Sequence, residues 1–386
     1  MTKEQLEEEK LYPLDIAVCL DCSLVQILNV VSPEALFTDY RYLSSVTQTL
    51  SQHFREYAEV LRRNVLPKDN SFVVEIGCND GVLLAPLQKI GVKALGVDPA
   101  SNVVEVAWQQ GLEVINDYFT LEVAKRIAAE FGKADVITAS NVFAHIDDLD
   151  EVMRGVDSLL TSHGTFVVEV HYIVDLVEGL QFDTVYHEHL CYYSLHALST
   201  LYHRYGFEIV DAERLPMHGG AVRVFSKRTQ ASQGHKSEIL KQMMEYERRL
   251  SINESDLYIR FGQQVVQYRD QLLELLIERK RNSRTLSGYG AAGRATTLLN
   301  FCKIDNSMME YIVDASPFRF GRYVPGVRIP IVPPSTLAER PTDDCLITAW
   351  NYRVEIIDKE QVYLERGGKF ILPLPQIEIV GVSKHE

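Results

Sequence analysis

Apolar positions along the chain fall into two alternating strand and helix patterns, separated by a long charged helical one. From Thr47 to Leu66 the spacing of Leu50, Phe54, Tyr57, Val60 and Leu61 marks one face of an amphipathic helix, which Pro67 closes. A continuous apolar run follows, SFVVEIG, then the loop CNDG, a helix to about Ile90, and a second run, VKALGVD, ending at Asp98. Apolar runs spaced by helices predict the start of a parallel α/β sheet. The alternation continues through ADVITAS, a helix after Asp147, GTFVVEV and a helix from near Ser194 to Tyr205. FEIVDAERL and AVRVFSK then follow one another across PMHGG, which predicts an antiparallel hairpin closing the sheet edge. Between about Ser232 and Arg284 the pattern reads as a helical connector, serving dimerisation or domain docking. A second, smaller parallel sheet is predicted from TLSGYGAAGRATTLLNF, MEYIVDAS, RIPIVPPS, CLITAW and KFILPLP. The segment from Leu11 to Val46 is turn-rich, aromatic and too small to fold alone without a staple.

Composition narrows the class. A chain of 386 residues that is 46% apolar can bury a core in each of two or three domains. Acidic residues outnumber basic ones 53 to 39, and without a basic cluster this excludes a binder that tracks nucleic-acid phosphates. No apolar run approaches the roughly 20 residues that span a bilayer. The opening MTKEQLEEEK lacks the apolar core of a signal peptide, so a cytoplasmic protein with no membrane partner is expected. Among Cys19, Cys22, Cys78, Cys191, Cys302 and Cys345 only the first two are close together, which suits thiols or metal ligands better than a disulfide scaffold.

The run Glu75-Ile-Gly77-Cys78-Asn79-Asp80-Gly81 stands where the first strand gives way to a helix. Gly77 and Gly81 free space for close backbone approach to a ligand. Their spacing is not the Gly-x-Gly-x-x-Gly that seats a pyrophosphate, and it suits a zwitterionic ligand better. Asp98, followed by Pro99, ends the next strand, where an acid accepts two ribose hydroxyls. Asp117, Tyr118 and Phe119 can flank an adenine, and Asn141, Val142 and His145 follow the fourth strand at the ligand-binding edge. The alternative is that the glycines only make a tight turn and Asp98 only ends a strand. Cys78, close to Asp80, reads as a small loop residue rather than a nucleophile. Together these residues resemble the class I S-adenosylmethionine-dependent methyltransferases. The resemblance implies a Rossmann-like seven-stranded α/β sheet with an antiparallel last strand, and S-adenosylmethionine as cofactor.

The densest chemical cluster is Tyr186-His187-Glu188-His189, followed by Cys191, Tyr192 and Tyr193. Tyrosine, carboxylate and imidazole so close together can place a base, its orienting group and a hydroxyl donor around one substrate carbon. Zinc on His187 and His189 with Glu188 is an alternative, although the histidines are spaced i, i+2 rather than the i, i+4 of the helical motif. A satisfied polar turn is another. Glu169, His171 and His218 would reach the same rim. In the second sheet, Gly288-Tyr-Gly290-Ala-Ala-Gly293, trailed by Asp314, is a literal dinucleotide fingerprint. It raises a rival reading, a nicotinamide-dependent oxidoreductase. Arg294 beside it could fork a phosphate, and Asn351 and Tyr352 are further candidates for that site. A non-enzymatic nucleotide-sensing scaffold is a third reading, against which the His-Glu-His cluster argues.

The succession PLDIAVCLDCSLVQ, PEALFTDYRYLSS, EIGCNDG, NVFAHIDDLD, FDTVYHEHLCYYSL, HGGAVRV, GYGAAGRATTLLNFC, VDASPFRFGRYVPG and TAWNY is similar to the sugar C-methyltransferase family of deoxysugar biosynthesis. The resemblance covers nearly the whole chain. It implies an N-terminal zinc-binding segment (residues 1–46), a methyltransferase domain (47–230), and a helical connector with a Rossmann-like substrate-binding domain (231–386). It implies catalysis by Tyr186, Glu188 and His189, with His189 as base, on C-3 beside the 4-keto group of a nucleotide-diphosphate sugar. Tyr40 and Tyr42 would cover the donor or sugar, and Gly290 and Arg294 would meet the substrate nucleotide. Only Cys19 and Cys22 of the family's four zinc cysteines are present, so tight zinc is not expected. A monomer or homodimer and a small-molecule partner are expected, with C-methylation of a non-sugar acceptor as a further alternative.

Overall fold

The computed structural model describes residues 1–32, 36, 44–66 and 70–382. The chain forms two compact units, one from residues 16–174 and 188–254, the other from residues 1–15, 175–187 and 255–386. This division interleaves along the chain, unlike the linear one expected with boundaries at residues 46 and 230.

The first unit contains β1 (Ile16–Val18), β2 (Val25–Ile27), β3 (Phe72–Ile76), β4 (Lys93–Val97), β5 (Val114–Ile115), β6 (Ala134–Ser140), β7 (Leu160–His171), β8 (Cys191–Tyr192), β9 (Phe207–Leu215) and β10 (Ala221–Arg228). Seven of them form one sheet in the order β5-β4-β3-β6-β7-β10-β9. β3 to β7 run parallel to one another, and β10 runs antiparallel to both β7 and β9. The hairpin foreseen at the edge therefore folds its second strand inward, and β9 makes the edge. All five residues of β3 are buried, as befits a strand covered on both faces. The helix Gln48–Asn64 starts at Thr47, whose hydroxyl accepts from Leu50 N, and packs Leu50, Phe54, Tyr57 and Leu61 with Val73, Val136 and Val167 of the sheet.

Sheet register also assembles a buried ion cluster. Arg223 on β10 stands opposite Glu169 on β7 and Glu213 on β9. Glu169, fully buried, takes His53 Nε2 on one oxygen at 2.7 Å and Arg223 Nη2 on the other at 2.7 Å. These partners outweigh the burial and hold its carboxyl down at about 2. The Arg223 guanidinium lies 3.7 Å over the Tyr57 ring, whose hydroxyl pairs with Thr138 at 2.7 Å.

A small antiparallel sheet, β1-β2-β8, carries Cys19 and Cys22 between its first two strands. Strands of two or three residues leave too little periodicity to be foreseen. The expected connector is divided: the helix Glu238–Arg249 belongs to this unit, and the 27-residue helix Ser255–Arg281 to the other. Glu247 secures the former by accepting from Leu195 N and His196 N at the start of the helix Leu195–His203.

The second unit holds β11 (Leu286–Tyr289), β12 (Ile312–Val313), β13 (Ile331–Val332), β14 (Asp344–Ile347), β15 (Lys369–Leu372) and β16 (Glu378–Val380) in the order β13-β12-β11-β14-β15-β16. The pairs are parallel except for β16, an unforeseen antiparallel strand on β15. Tyr311, Val313, Leu337, Cys345 and Phe370 form its core. Among the described residues no helix is long and apolar enough to cross a membrane.

Candidate active site

At the carboxyl ends of β3, β4 and β6 lies a cavity of about 390 Å³. Its walls include Gly77, Asn79, Asp98, Pro99, Tyr118, Phe119, Asn141, Val142 and His145, all candidates from the sequence, together with Ser44, Thr120 and Ser140. Gly77 has φ +69°, and a Cβ there would come within 2.5 to 3.0 Å of the Val142 side chain. Only glycine takes that turn while leaving the wall in place. Asp98 braces the loop: its Oδ2 accepts from Asn79 N and its Oδ1 from Ala100 N, each at 2.9 Å. Burial raises its pKa against the pull of those amides. Each carboxylate oxygen retains a second lone pair for a ligand hydroxyl. The Oδ1 of Asn141 is buried without a partner among the described residues, and this residue also holds a positive φ of 56°.

The remaining loop residues stand behind the wall rather than on it. Glu75 is buried, and burial together with Asp98 and Asp80 pushes its pKa well up. Cys78 is buried against Gly96, and burial likewise raises its thiol, which removes it as a nucleophile. Asp80 Oδ2 accepts from Ser45 N, and Gly81 packs on Leu112. Asp117 turns to Tyr118 N and to Arg126, 3.5 Å away, instead of joining the cavity.

Next to the cavity the fold gathers four histidines. The His189 side chain is 4% exposed; its ring stacks on His145 at 5.1 Å, meets His171 at 4.8 Å and faces Tyr192 at 6.3 Å. His171 in turn meets His218 at 5.7 Å. Loss of water holds His145 at about 4, so this neighbour is neutral near pH 7. His171 and His218 thus join His189 through ring contacts, but Glu169 does not. Its carboxylate is committed to the buried ion cluster, a structural position that corrects the substrate role foreseen for it.

The Tyr-His-Glu-His run straddles the two units: Tyr186 and His187 belong to the second, Glu188 and His189 to the first. His187 Nε2 pairs with the Pro13 carbonyl at 3.0 Å, which engages one of the imidazoles of the zinc alternative. Tyr40 and Tyr42 lie outside the described residues. Cys19 accepts from the amides of Asp21 and Cys22, which lower its pKa, while burial raises that of Cys22. Among the described residues no group of three or more His, Cys, Asp or Glu is placed to hold a metal.

In the second unit, Gly290, Arg294, Asn351 and Tyr352 follow the adjacent parallel strands β11 and β14. Gly290 has φ +98° and abuts Ala349. Arg294 is largely buried, 5.1 Å over the Trp350 ring and 3.8 Å from Asp183.

Comparison with known proteins places these parts. Residues 216–375 match the family model of the C-methyltransferase C-terminal domain, residues 50–212 that of a methyltransferase domain, and residues 1–37 that of a zinc binding domain. C-methyltransferase NovU of Streptomyces niveus is 37% identical over 375 residues, which span 97% of this chain and 89% of its own length. The chain belongs to the S-adenosylmethionine-dependent C-methyltransferase family. The ubiquinone biosynthesis O-methyltransferase of Bartonella quintana is 30% identical over 109 residues, 27% of this chain and 43% of that one. A solved methyltransferase structure from Archaeoglobus fulgidus is 17% identical, covering 46% of this chain and 98% of that one at a TM-score of 0.38. In this C-methyltransferase the class I fold is evident from the strand order itself, with the antiparallel β10 between β7 and β9.

Proposed function

We propose that this C-methyltransferase methylates the carbon beside the ketone of a nucleotide-diphosphate keto-deoxysugar, with His189 as the base. The observation that carries the reading is one residue with two neighbours. His145 lines the cavity beside the Gly77 loop, and its ring stacks on that of His189 at 5.1 Å. A base thus sits next to the compartment suited to the methyl donor.

The residues present fit S-adenosylmethionine. Gly77 leaves a cradle that a Cβ would fill, Asn141 offers a buried acceptor without a partner, and Asp98 stands at the strand end where ribose hydroxyls are received. Tyr118 and Phe119 supply aromatic surface for the adenine. Bound there, the cofactor supplies an electrophilic methyl group on a sulfonium.

A neutral C–H has no electron pair to give that methyl group. A ketone on the adjacent carbon makes the proton removable, because the electrons left behind delocalise onto the carbonyl oxygen as an enolate. His189 accepts the proton on an imidazole nitrogen, and the enolate carbon would then form the new C–C bond as the sulfonium–methyl bond breaks, its electron pair staying on the sulfur of the departing thioether. The base is an imidazole, the side chain best able to take a proton near neutral pH, packed on the neutral His145. Glu188 steadies the imidazolium that forms, and the Tyr186 hydroxyl donates to the enolate oxygen. The sugar nucleotide is the acceptor implied by the family resemblance.

The test is transfer of labelled methyl from S-adenosylmethionine to a panel of thymidine- and uridine-diphosphate 4-keto-deoxyhexoses, with simple ketones and phenols alongside. Label fixed on C-3 of a sugar nucleotide is expected. Label on a non-sugar acceptor alone, or on oxygen, would overturn the substrate assignment.

A further inference from the structure

The Gly-x-Gly-x-x-Gly of the second unit has no part in the proton and methyl transfer described above, and the resemblance gives it only a contact with the substrate nucleotide. In a dinucleotide site the helix after its last glycine points at a pyrophosphate, and the acid ending the next strand receives ribose hydroxyls. Here the chain itself occupies both positions. Asp314 accepts from Ala291 N at 2.7 Å on Oδ2 and from Ser316 N at 2.8 Å on Oδ1, and Arg319 Nη1 stands 3.0 and 3.2 Å from the two oxygens. At Gly293 a Cβ would lie 3.1 Å from one carbon of the Tyr186 ring and 3.3 Å from two others. Gly293 opens the helix Gly293–Phe301 without a positive φ, so glycine is needed there for space rather than for backbone freedom. The same helix holds the residues just before Tyr186. Thr297 Oγ1 donates to Val185 O at 2.9 Å, and Arg294 faces Asp183, whose Oδ2 accepts from Trp350 Nε1 at 2.7 Å. Phe182 rests on Phe301 with ring centroids 5.1 Å apart. Every one of these residues belongs to a single unit.

We propose that the Gly288–Gly293 loop and the helix it opens are a mount that positions Tyr186 for the reaction, and that this loop takes no dinucleotide. The inference rests on the catalytic reading of Tyr186 given above. Gly293, Arg294 and Thr297 are then positioning residues, acting through the backbone and ring of the segment 183–186.

The experiment uses the full chain with a thymidine-diphosphate 4-keto-deoxyhexose as acceptor. Gly293→Ala should lower kcat about 10- to 100-fold through a small displacement of the Tyr186 ring, with the Kd for S-adenosylhomocysteine unchanged. Because both changes act through one ring, Gly293→Ala combined with Tyr186→Phe should be no slower than Tyr186→Phe alone. Additive losses, or a Gly293→Ala enzyme with full kcat, would overturn the positioning role. Thr297→Val should lower kcat and Thr297→Ser should restore it, which also decides the matter if the Gly293 variant does not fold. A Tyr186→Phe enzyme at full speed would instead sink the catalytic reading on which the inference rests. Calorimetric titration with NADH and NADPH should give no saturable heat; binding that disappears in Arg294→Ala would overturn the exclusion of a dinucleotide.

Discussion

The two glycine loops of this chain look alike on paper and differ in what faces them. Both follow a central parallel strand, and both are trailed by an acid at the end of the next one, Asp98 or Asp314. The Gly77 loop opens on a cavity of about 390 Å³ whose wall holds the Asn141 amide oxygen, unpartnered among the described residues. Gly293 instead packs on the Tyr186 ring, and Asp314 spends both oxygens on Ala291, Ser316 and Arg319. A glycine motif therefore reports that something approaches the backbone closely, and the packing around it decides whether that is a ligand or the chain itself. The textures of the buried carboxylates differ too. Glu169 in the first unit is held well down by His53 and Arg223, whereas burial pushes Asp183 in the second unit up despite Arg294 and Trp350.

The largest expected effect lies beside the first loop. His189→Asn should slow methyl transfer about 10²- to 10⁴-fold while leaving calorimetric binding of S-adenosylhomocysteine intact, and an unaltered rate would remove His189 as the base. Next, Glu169→Gln strips the charge from a fully buried pair and should cost about 3–5 kcal/mol in denaturant unfolding. Its acid dependence has a definite sign. Because the folded pKa of Glu169, about 2, lies below its ordinary 4.5, its stabilisation is complete above the ordinary value and is lost as pH falls through the folded one. The raised pKa of Asp183 contributes the opposite slope. Glu169→Gln should flatten the acid limb of the stability profile; an unchanged limb would show that the ion cluster does not govern it.

Alanine at either positive-φ glycine sharpens the contrast between the loops directly. Strain there costs about 1–3 kcal/mol, spent in different ways. Gly77→Ala should weaken S-adenosylhomocysteine about 10- to 100-fold, while Gly290→Ala should lower the Tm and leave that Kd alone. Equal losses of affinity in both variants would erase the distinction. The smallest effect is expected from Asp98→Asn, about tenfold in the same Kd, against none for Asp314→Asn.

Much of the first sheet was legible because parallel strands covered on both faces are continuous apolar runs, as in Phe72–Ile76 and Ala134–Ser140. The Gly77 loop, Asp98 and the Asn141–His145 turn were legible because each sits at a strand end, where the sheet confines ligands to one edge. The β1-β2-β8 sheet was not, since its strands are two or three residues long and one comes from far along the chain. Nor was the burial of Glu169, which depends on the register of β7 against β10 and on a helix that brings in His53.

By itself the sequence determined the elements, the acidic and apolar balance, and the residue types able to move a proton, because periodicity and side-chain chemistry are local properties. Only the tertiary structure decided what those residues meet. The winding of one sheet set His145, His171, His189 and His218 in ring contact, and the interleaving of the two units handed Tyr186 to the second glycine loop. Such contacts join positions distant along the chain, and the free energy that selects them comes from packing, which no local pattern encodes.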